Sequence, residues 1–143
     1  MPNRLHASAS YNHETHASAA TIWAFFEAVH LWKDWNAGVH SCALDGPFAA
    51  GTWMTMVLPD QEVIRSQLVE VNAPIGFTDE TVLGDITVRV RHEIMPLANG
   101  NHLIVYSIEV TGEGAEEVCA QVSSDFPDVL RALVARAERA VGA

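Results

Sequence analysis

The sequence predicts an α+β fold in which one strand and two short helices precede six further strands and a long C-terminal helix. Two observations support this order. Residues 39–111 alternate in the manner of strands between turn signals, and after Gly112-Glu113-Gly114 the apolar period changes from 2 to 3.6. The 143 residues fit a single domain, residues 1–143, large enough to bury roughly 68 to 70% of its unfolded surface.

The N-terminal segment begins with a strand pattern and continues with two helical patterns. Residues 5–13 alternate between small or aromatic residues and polar ones, which is typical of a half-buried strand. Ser18 stands where a helix N-cap belongs, because its hydroxyl can accept a free backbone N–H. Apolar residues follow at helical spacing: Ile22, Phe25, Phe26 and Val29. A second short helix that carries Leu31, Trp32 and Trp35 is expected to end near Ala37-Gly38, since glycine tolerates the left-handed conformation that closes helices.

The turn at Gly84-Asp85 predicts which residues of one hairpin face inward. This dipeptide suits a type II′ turn, and pairing outward from it sets Glu80 opposite Arg89 on the solvent face. The same register turns five residues to the opposite face: Phe77, Asp79, Val88, Val90 and His92.

The next hairpin has two solutions around Asn99-Gly100. A two-residue turn would point Ser107 and Glu109 inward. A three-residue loop with a bulge would instead point Ile104, Tyr106, Ile108 and Val110 inward. We favour the second solution because it buries four apolar-bodied residues. Beyond Gly114, residues 115–122 are expected to form a short helix, and Ser124 to cap a helix over about residues 125–140, with Pro127 in its first turn.

Charge and cysteine content exclude several classes of function. Eighteen acidic residues against eight basic ones give a net charge of -10, which repels phosphate backbones and anionic headgroups, so no nucleic-acid partner is expected. No apolar run approaches the ~20 residues of a membrane span, and no apolar leader follows Met1, so we expect no membrane insertion and a cytoplasmic location. Cys42 and Cys119 are too few and too distant for a disulfide framework, which predicts reduced, buried thiols.

Three motifs in order resemble a known superfamily. They are Ile22-Trp23-Ala24-Phe25-Phe26, then Leu31-Trp32-Lys33-Asp34-Trp35-Asn36, then Leu44-Asp45-Gly46-Pro47-Phe48-Ala49-Ala50-Gly51-Thr52. This trio resembles the START-like helix-grip superfamily and, within it, the polyketide cyclase/dehydrase family (SRPBCC). Later segments keep that family's order, so the resemblance covers nearly the whole chain. It implies a helix-grip fold, with a seven-stranded antiparallel sheet curved around the long C-terminal helix.

Familiar catalytic and metal-binding motifs are missing. Gly112-Glu113-Gly114 has Glu117 where a dinucleotide fingerprint needs its third glycine. The segment His13-Glu14-Thr15-His16 is one residue short of HExxH, and the two histidines face opposite ways in a strand. The sequence therefore predicts no metal site and no cofactor.

A cavity between the sheet and the long helix is the expected site. Methionine adapts to irregular apolar shapes, so Met54 and Met56 are candidates for the cavity wall, with plain core filling as the alternative. The predicted ligand-binding residues are Met54, Met56, Phe77, Val90, Ile108, Leu130 and Val134.

Three polar residues could carry chemistry in this cavity. An imidazole exchanges protons near neutral pH and a phenol can donate to an oxyanion, so Asp79, His92 and Tyr106 have the equipment for enolisation and dehydration. The alternative is a satisfied core network. The family resemblance implies aldol cyclisation and dehydration without metal or redox cofactor, with His92 and Tyr106 as general acid and base and Asp79 orienting. Arg65 is a candidate for binding a ligand carboxylate, or else a solvent-face residue.

Three functions remain open at this point. The first is binding of a small hydrophobic or aromatic molecule, with polyketide cyclase-like catalysis. The second is a non-catalytic carrier or regulatory module for a lipid- or quinone-type ligand, and the third is a protein-interaction domain with a collapsed core. A purely apolar cavity would favour binding alone, whereas convergence of His92, Tyr106 and Asp79 would favour an enzyme. The oligomeric state is open, and a dimer is compatible with the sequence.

Overall fold

The computed structural model describes residues 5–142 and contains seven strands and four helices in that range. The strands are β1 (His6–Thr15), β2 (Ser41–Leu44), β3 (Trp53–Val57), β4 (Val63–Asn72), β5 (Gly76–Leu83), β6 (Ile86–Pro96) and β7 (His102–Thr111). The helices are α1 (Ala19–Glu27), a 3₁₀ helix (Val29–Asp34), α2 (Ala115–Ser123) and α3 (Phe126–Gly142). Residues 1–4 and residue 143 lie outside this range. The expectation about location drew on residues 1–4, so the structure does not bear on that part of it.

All seven strands form one antiparallel sheet in the order β1-β7-β6-β5-β4-β3-β2. Strands β2 to β7 pair with their neighbours in sequence, while β1 pairs with β7 at the far edge. Helices α2 and α3 contact β1, and the 3₁₀ helix contacts β2, so helices cover one face from both edges. The predicted helix-grip fold, with its seven-stranded sheet and long C-terminal helix, is confirmed.

The two short N-terminal helices follow the predicted order with shifted boundaries, since α1 ends at Glu27 and Val29 begins the 3₁₀ helix. The Thr21 backbone N–H donates to the Ser18 hydroxyl at 3.1 Å, which confirms the N-cap. The 3₁₀ helix ends earlier than predicted, at Asp34, because the backbone N–H groups of Trp35 and Asn36 both donate to the Trp32 carbonyl. The chain then turns at Asn36, whose side chain accepts from the Gly38 N–H at 2.9 Å.

Both hairpin predictions are confirmed. Leu83 pairs with Ile86 across Gly84-Asp85, with Gly84 at φ 62°, and Glu80 lies opposite Arg89 with a 2.7 Å ion pair. In the next hairpin the Leu97 N–H donates to the Asn101 carbonyl, leaving a three-residue loop whose Gly100 has φ 89°. The predicted four residues are buried: Ile104, Tyr106, Ile108 and Val110.

The predicted cap of the long helix is wrong. Ser124 has right-handed helical geometry, and its hydroxyl donates back to the Gln121 carbonyl at 2.9 Å. The first helical bond of α3 instead runs from the Val129 N–H to the Asp125 carbonyl at 2.9 Å. Because α2 continues through Ser123, only two residues separate the helices, and Ser124 belongs to the end of α2.

Cys42 and Cys119 are buried and free, as the sequence predicted. In the part of the chain that the structure describes, no helix is long and apolar enough to cross a membrane.

Candidate functional site

A cavity of about 480 Å³ opens between the sheet and the segments that cover it, within the usual size range of small-molecule sites. Strands β3 to β7 form its floor. Residues 32–39 cover one side, and the junction of α2 with α3 covers the other. The lining comprises Trp32, Trp35, Asn36, Gly38, Val39, Met56, Leu58, Glu62, Ile64, Ser66, Phe77, Asp79, Thr81, Leu83, Val88, Val90, His92, Tyr106, Val118, Gln121, Val122, Asp125, Phe126 and Val129.

A row of rings crosses the floor of the cavity. Strand pairing sets Phe77 opposite His92 and His92 opposite Tyr106. The His92 and Phe77 rings stack with centroids 4.0 Å apart, and the Tyr106 ring meets His92 edge-on at 4.6 Å. Since cross-strand neighbours on one face are held at a fixed spacing, the sheet itself positions these three side chains.

His92 lies in an apolar setting that favours its neutral form. The residue is 8% exposed, and burial lowers the pKa of its imidazole to about 3, although the backbone carbonyls of Phe77 and Val90 partly oppose this shift. Its Nδ1 lies 3.4 Å from the Phe77 carbonyl oxygen, a long contact in which Nδ1 donates when it carries the ring proton. His92 is therefore a neutral imidazole at physiological pH.

Asp79 is the ionisable group whose charge changes near neutral pH. It lies on the inward face of β5 opposite Val90, one row from the rings, and lines the cavity. Burial alone raises the pKa of its carboxyl from the ordinary value to about 7, because no described residue donates a hydrogen bond to it. Protonated and ionised forms of Asp79 therefore coexist at neutral pH.

Tyr106 brings a hydrogen-bond donor to the same cavity. Burial, with the nearby charges of Asp79 and Asp125, raises the pKa of the Tyr106 phenol far above its usual value, so the hydroxyl keeps its proton. Within residues 5–142, that hydroxyl has no protein partner, yet it is not sealed from the cavity, unlike the Nε1 atoms of Trp23 and Trp35. The hydroxyl is thus free to donate to a bound molecule.

The charged groups of the lining are all acidic. Asp79, Asp125 and Glu62 line the cavity, and no lysine or arginine is among the described lining residues. Burial also raises the pKa of Asp125. Arg65, a candidate for binding a ligand carboxylate, faces away from the cavity and contacts Asp45 at 3.1 Å and the Trp53 ring.

The predicted site residues divide into two groups. Asp79, His92 and Tyr106 line the cavity together with three predicted apolar residues, Met56, Phe77 and Val90. The other four lie in the solid core: Met54, Ile108, Leu130 and Val134. The body of α3 packs against β1 and α1, so open space remains only near its first turn, at Phe126 and Val129.

Several lining residues were missed by sequence reasoning. The segments at the junction of α2 with α3 contribute Val118, Gln121, Val122 and Asp125. A helical pattern over residues 115–122 was visible, but periodicity does not reveal which helix lies over which part of a sheet. In the described range, no group of three or more His, Cys, Asp or Glu side chains is arranged to hold a metal ion.

The fold and the cavity beneath its C-terminal helices define a START-like helix-grip domain, a ligand-binding class. The chain belongs to the family described as polyketide cyclase / dehydrase and lipid transport, whose model matches residues 6–138. Comparison with curated proteins gave no significant match.

Solved structures similar to this chain share its fold at low sequence identity. Norcoclaurine synthase from Thalictrum flavum, in complex with dopamine and hydroxybenzaldehyde, aligns with TM-score 0.72 and 14% identity over 94% of this chain and 87% of the synthase. A START superfamily protein from Mycobacterium smegmatis aligns with TM-score 0.73 and 16% identity over 92% and 97% of the two chains. The di-domain ARO/CYC StfQ from the steffimycin biosynthetic pathway gives TM-score 0.79 and 13% identity, over 99% of this chain but 53% of StfQ.

Proposed function

We propose that this protein binds a small, largely apolar or aromatic molecule in the cavity and catalyses proton transfer at a carbon next to its carbonyl group, as a polyketide cyclase/dehydratase-like enzyme would. One observation carries the proposal: Asp79, Tyr106 and His92 converge on one cavity, and the Asp79 carboxyl and Tyr106 hydroxyl have no partner among the described residues. Buried polar groups in a merely structural core are normally satisfied.

The protonation states suggest separate roles for the three residues. The Asp79 carboxylate would remove a proton from the carbon next to the carbonyl and later return it as the carboxylic acid, since its pKa of about 7 populates both forms. The Tyr106 hydroxyl would donate to the carbonyl oxygen, where negative charge develops. His92, neutral and stacked on Phe77, would shape the floor and hold its hydrogen bond to the strand.

These roles differ from the expectation that His92 and Tyr106 exchange protons while Asp79 orients them. His92 Nδ1 is directed at the Phe77 carbonyl, so the imidazole takes its orientation from the backbone. An imidazole with a pKa near 3 is a weak base at neutral pH, because general catalysis is most effective when the pKa lies near the working pH.

Exchange of the methyl protons of acetophenone in D₂O, followed by NMR, tests the catalytic part. We expect the wild-type protein to accelerate exchange, and Asp79→Asn to reduce the acceleration roughly 10²- to 10⁴-fold, the usual scale for removing a proton-transfer group. Asp128→Asn removes an exposed carboxylate of α3 that pairs with Arg131 and serves as the matched control. No acceleration by wild-type protein that binds acetophenone would refute catalysis at this site.

A non-catalytic carrier of a lipid- or quinone-type ligand is the second candidate. The family description includes lipid transport, and the cavity lining includes the aliphatic residues Leu58, Ile64, Leu83 and Val88. Native mass spectrometry of protein purified from its source separates the two candidates. A co-purified long-chain molecule would favour a carrier, whereas an unoccupied protein that exchanges ketone protons would favour an enzyme.

A further inference from the structure

The lining of the cavity discriminates between ligands by charge. Its described lining residues include the carboxyl groups of Glu62, Asp79 and Asp125 but no lysine or arginine. His92 adds no positive charge, because burial keeps its imidazole neutral. A carboxylate or phosphate in this cavity would meet like charges in a poorly solvated space, which is costly.

Asp79 and Tyr106 together point to a particular partner. Asp79 is partly buried and lines the cavity, and its carboxyl has no donor among the described residues; a carboxylate that has lost part of its water is stabilised by a cation or a strong hydrogen-bond donor. Tyr106 is only 4% exposed, and its unpartnered hydroxyl opens on the same cavity.

We propose, building only on the ligand-binding part of the proposed function, that the natural ligand is a small aromatic or apolar amine whose ammonium group pairs with Asp79. In this proposal Asp79 holds the ligand, as an alternative to removing a proton from it. The apolar body then lies over the row of rings, and the Tyr106 hydroxyl donates to an oxygen of the ligand. Acids of the same shape are rejected.

Displacement of a bound fluorescent probe tests this proposal. The neutral dye N-phenyl-1-naphthylamine reports on occupation of the cavity, and three competitors of one shape differ in charge: 2-(1-naphthyl)ethylamine, 2-(1-naphthyl)ethanol and 1-naphthylacetate. At pH 8 the amine should compete about 10- to 100-fold better than the alcohol, as expected for a hydrogen bond to a buried charge. The acid should compete more weakly than the alcohol.

Two further measurements assign the preference to Asp79. Asp79→Asn should bring the amine within about threefold of the alcohol, whereas the exposed Asp128→Asn should leave the preference unchanged. In wild-type protein, affinity for the amine should fall about tenfold per pH unit below 7 as Asp79 takes up its proton, while affinity for the alcohol stays level. Five other titratable groups face the cavity or influence Asp79: Cys42, Glu62, His92, Tyr106 and Asp125. Asp79→Asn leaves all five in place, so a pH dependence that disappears in this variant belongs to Asp79.

The outcomes distinguish the two proposals. If the dye binds and the acid competes as well as the amine, or if Asp79→Asn keeps the full preference, the amine proposal is overturned while ligand binding stands. If neither the dye nor any competitor binds, both proposals fail. Should Asp79→Asn not fold, a level pH profile for the amine in wild-type protein would overturn the amine proposal by itself.

Discussion

The imidazole of His92 lies flat on the ring of Phe77, with centroids 4.0 Å apart and planes 7° from parallel. The two residues are also directly paired across β5 and β6, and the His92 Nδ1 approaches the Phe77 carbonyl oxygen. Stacking between two rings in an apolar layer removes water from the imidazole. His92 is consequently held neutral by the same contacts that fix its position.

The first prediction is that His92 stays neutral from pH 5 to pH 8. Its pKa of about 3 in the folded protein lies below the ordinary value of 6.5, so the unfolded chain binds the extra proton first as pH falls. The stability contributed by neutral His92 is therefore present above pH 6.5 and is lost toward pH 3. Two-dimensional NMR of the ring nitrogens measures this directly, with His92→Gln to assign the signals. A midpoint near 6.5 would contradict the prediction.

The second prediction is that ionised Asp79 destabilises the protein when no ligand is bound. Its pKa is raised from 3.8 to about 7, so the folded state binds more protons than the unfolded state between these values, and stability falls as pH rises through that window. Asp79→Asn should therefore raise the free energy of unfolding by about 1 to 3 kcal/mol at pH 8, and by much less at pH 4. Urea denaturation at both pH values checks this.

Asp128→Asn provides the control for that measurement, because its carboxylate is exposed at the surface of α3. If Asp79→Asn raised the free energy of unfolding equally at pH 4 and pH 8, the Asp79 carboxyl would titrate normally in the folded protein.

The third prediction compares a tyrosine hydroxyl that stabilises the fold with one that we expect to bind a ligand. Tyr11 and Tyr106 are cross-strand neighbours, but only the Tyr11 hydroxyl has a described partner, Ser123 at 3.1 Å. Tyr11→Phe should cost about 1 kcal/mol of stability, and Tyr106→Phe a few tenths at most. Thermal denaturation compares the two variants. A larger loss for Tyr106→Phe would reveal a structural role for its hydroxyl.

The fourth prediction concerns the two methionines of β3. Met54 is fully buried in the core, whereas Met56 lines the cavity and is only partly buried. Met54→Ala should cost about 2 to 5 kcal/mol through the loss of buried contacts and the hole left behind. Met56→Ala should cost about 1 kcal/mol or less, yet weaken binding of the fluorescent dye. Equal effects of both variants on dye affinity would contradict this assignment.

Local sequence patterns were sufficient to predict which residues face the cavity side of the central strands. The Gly84-Asp85 turn closes its hairpin within a few residues, so it fixes the register that turns Asp79 and His92 inward. The sequence left two loops open around Asn99-Gly100, and the structure has the three-residue loop that turns Tyr106 inward. The end of α2 was harder to predict, because Ser124 suits both an N-cap and a final helical turn, and only the packed structure selects the second.

The sequence by itself therefore determined the order of the elements, the antiparallel hairpins and the inward face that carries Asp79 and His92, because these depend on short-range periodicity and turn geometry. For Tyr106 it favoured one of two registers, and the structure selected the inward one. Only the tertiary structure decided that open space lies under the α2–α3 junction, so that Met56 lines it and Leu130 does not. The tertiary structure also decided the protonation states of Asp79 and His92. Desolvation depends on all the atoms around a group, and those atoms come from segments far apart in the chain.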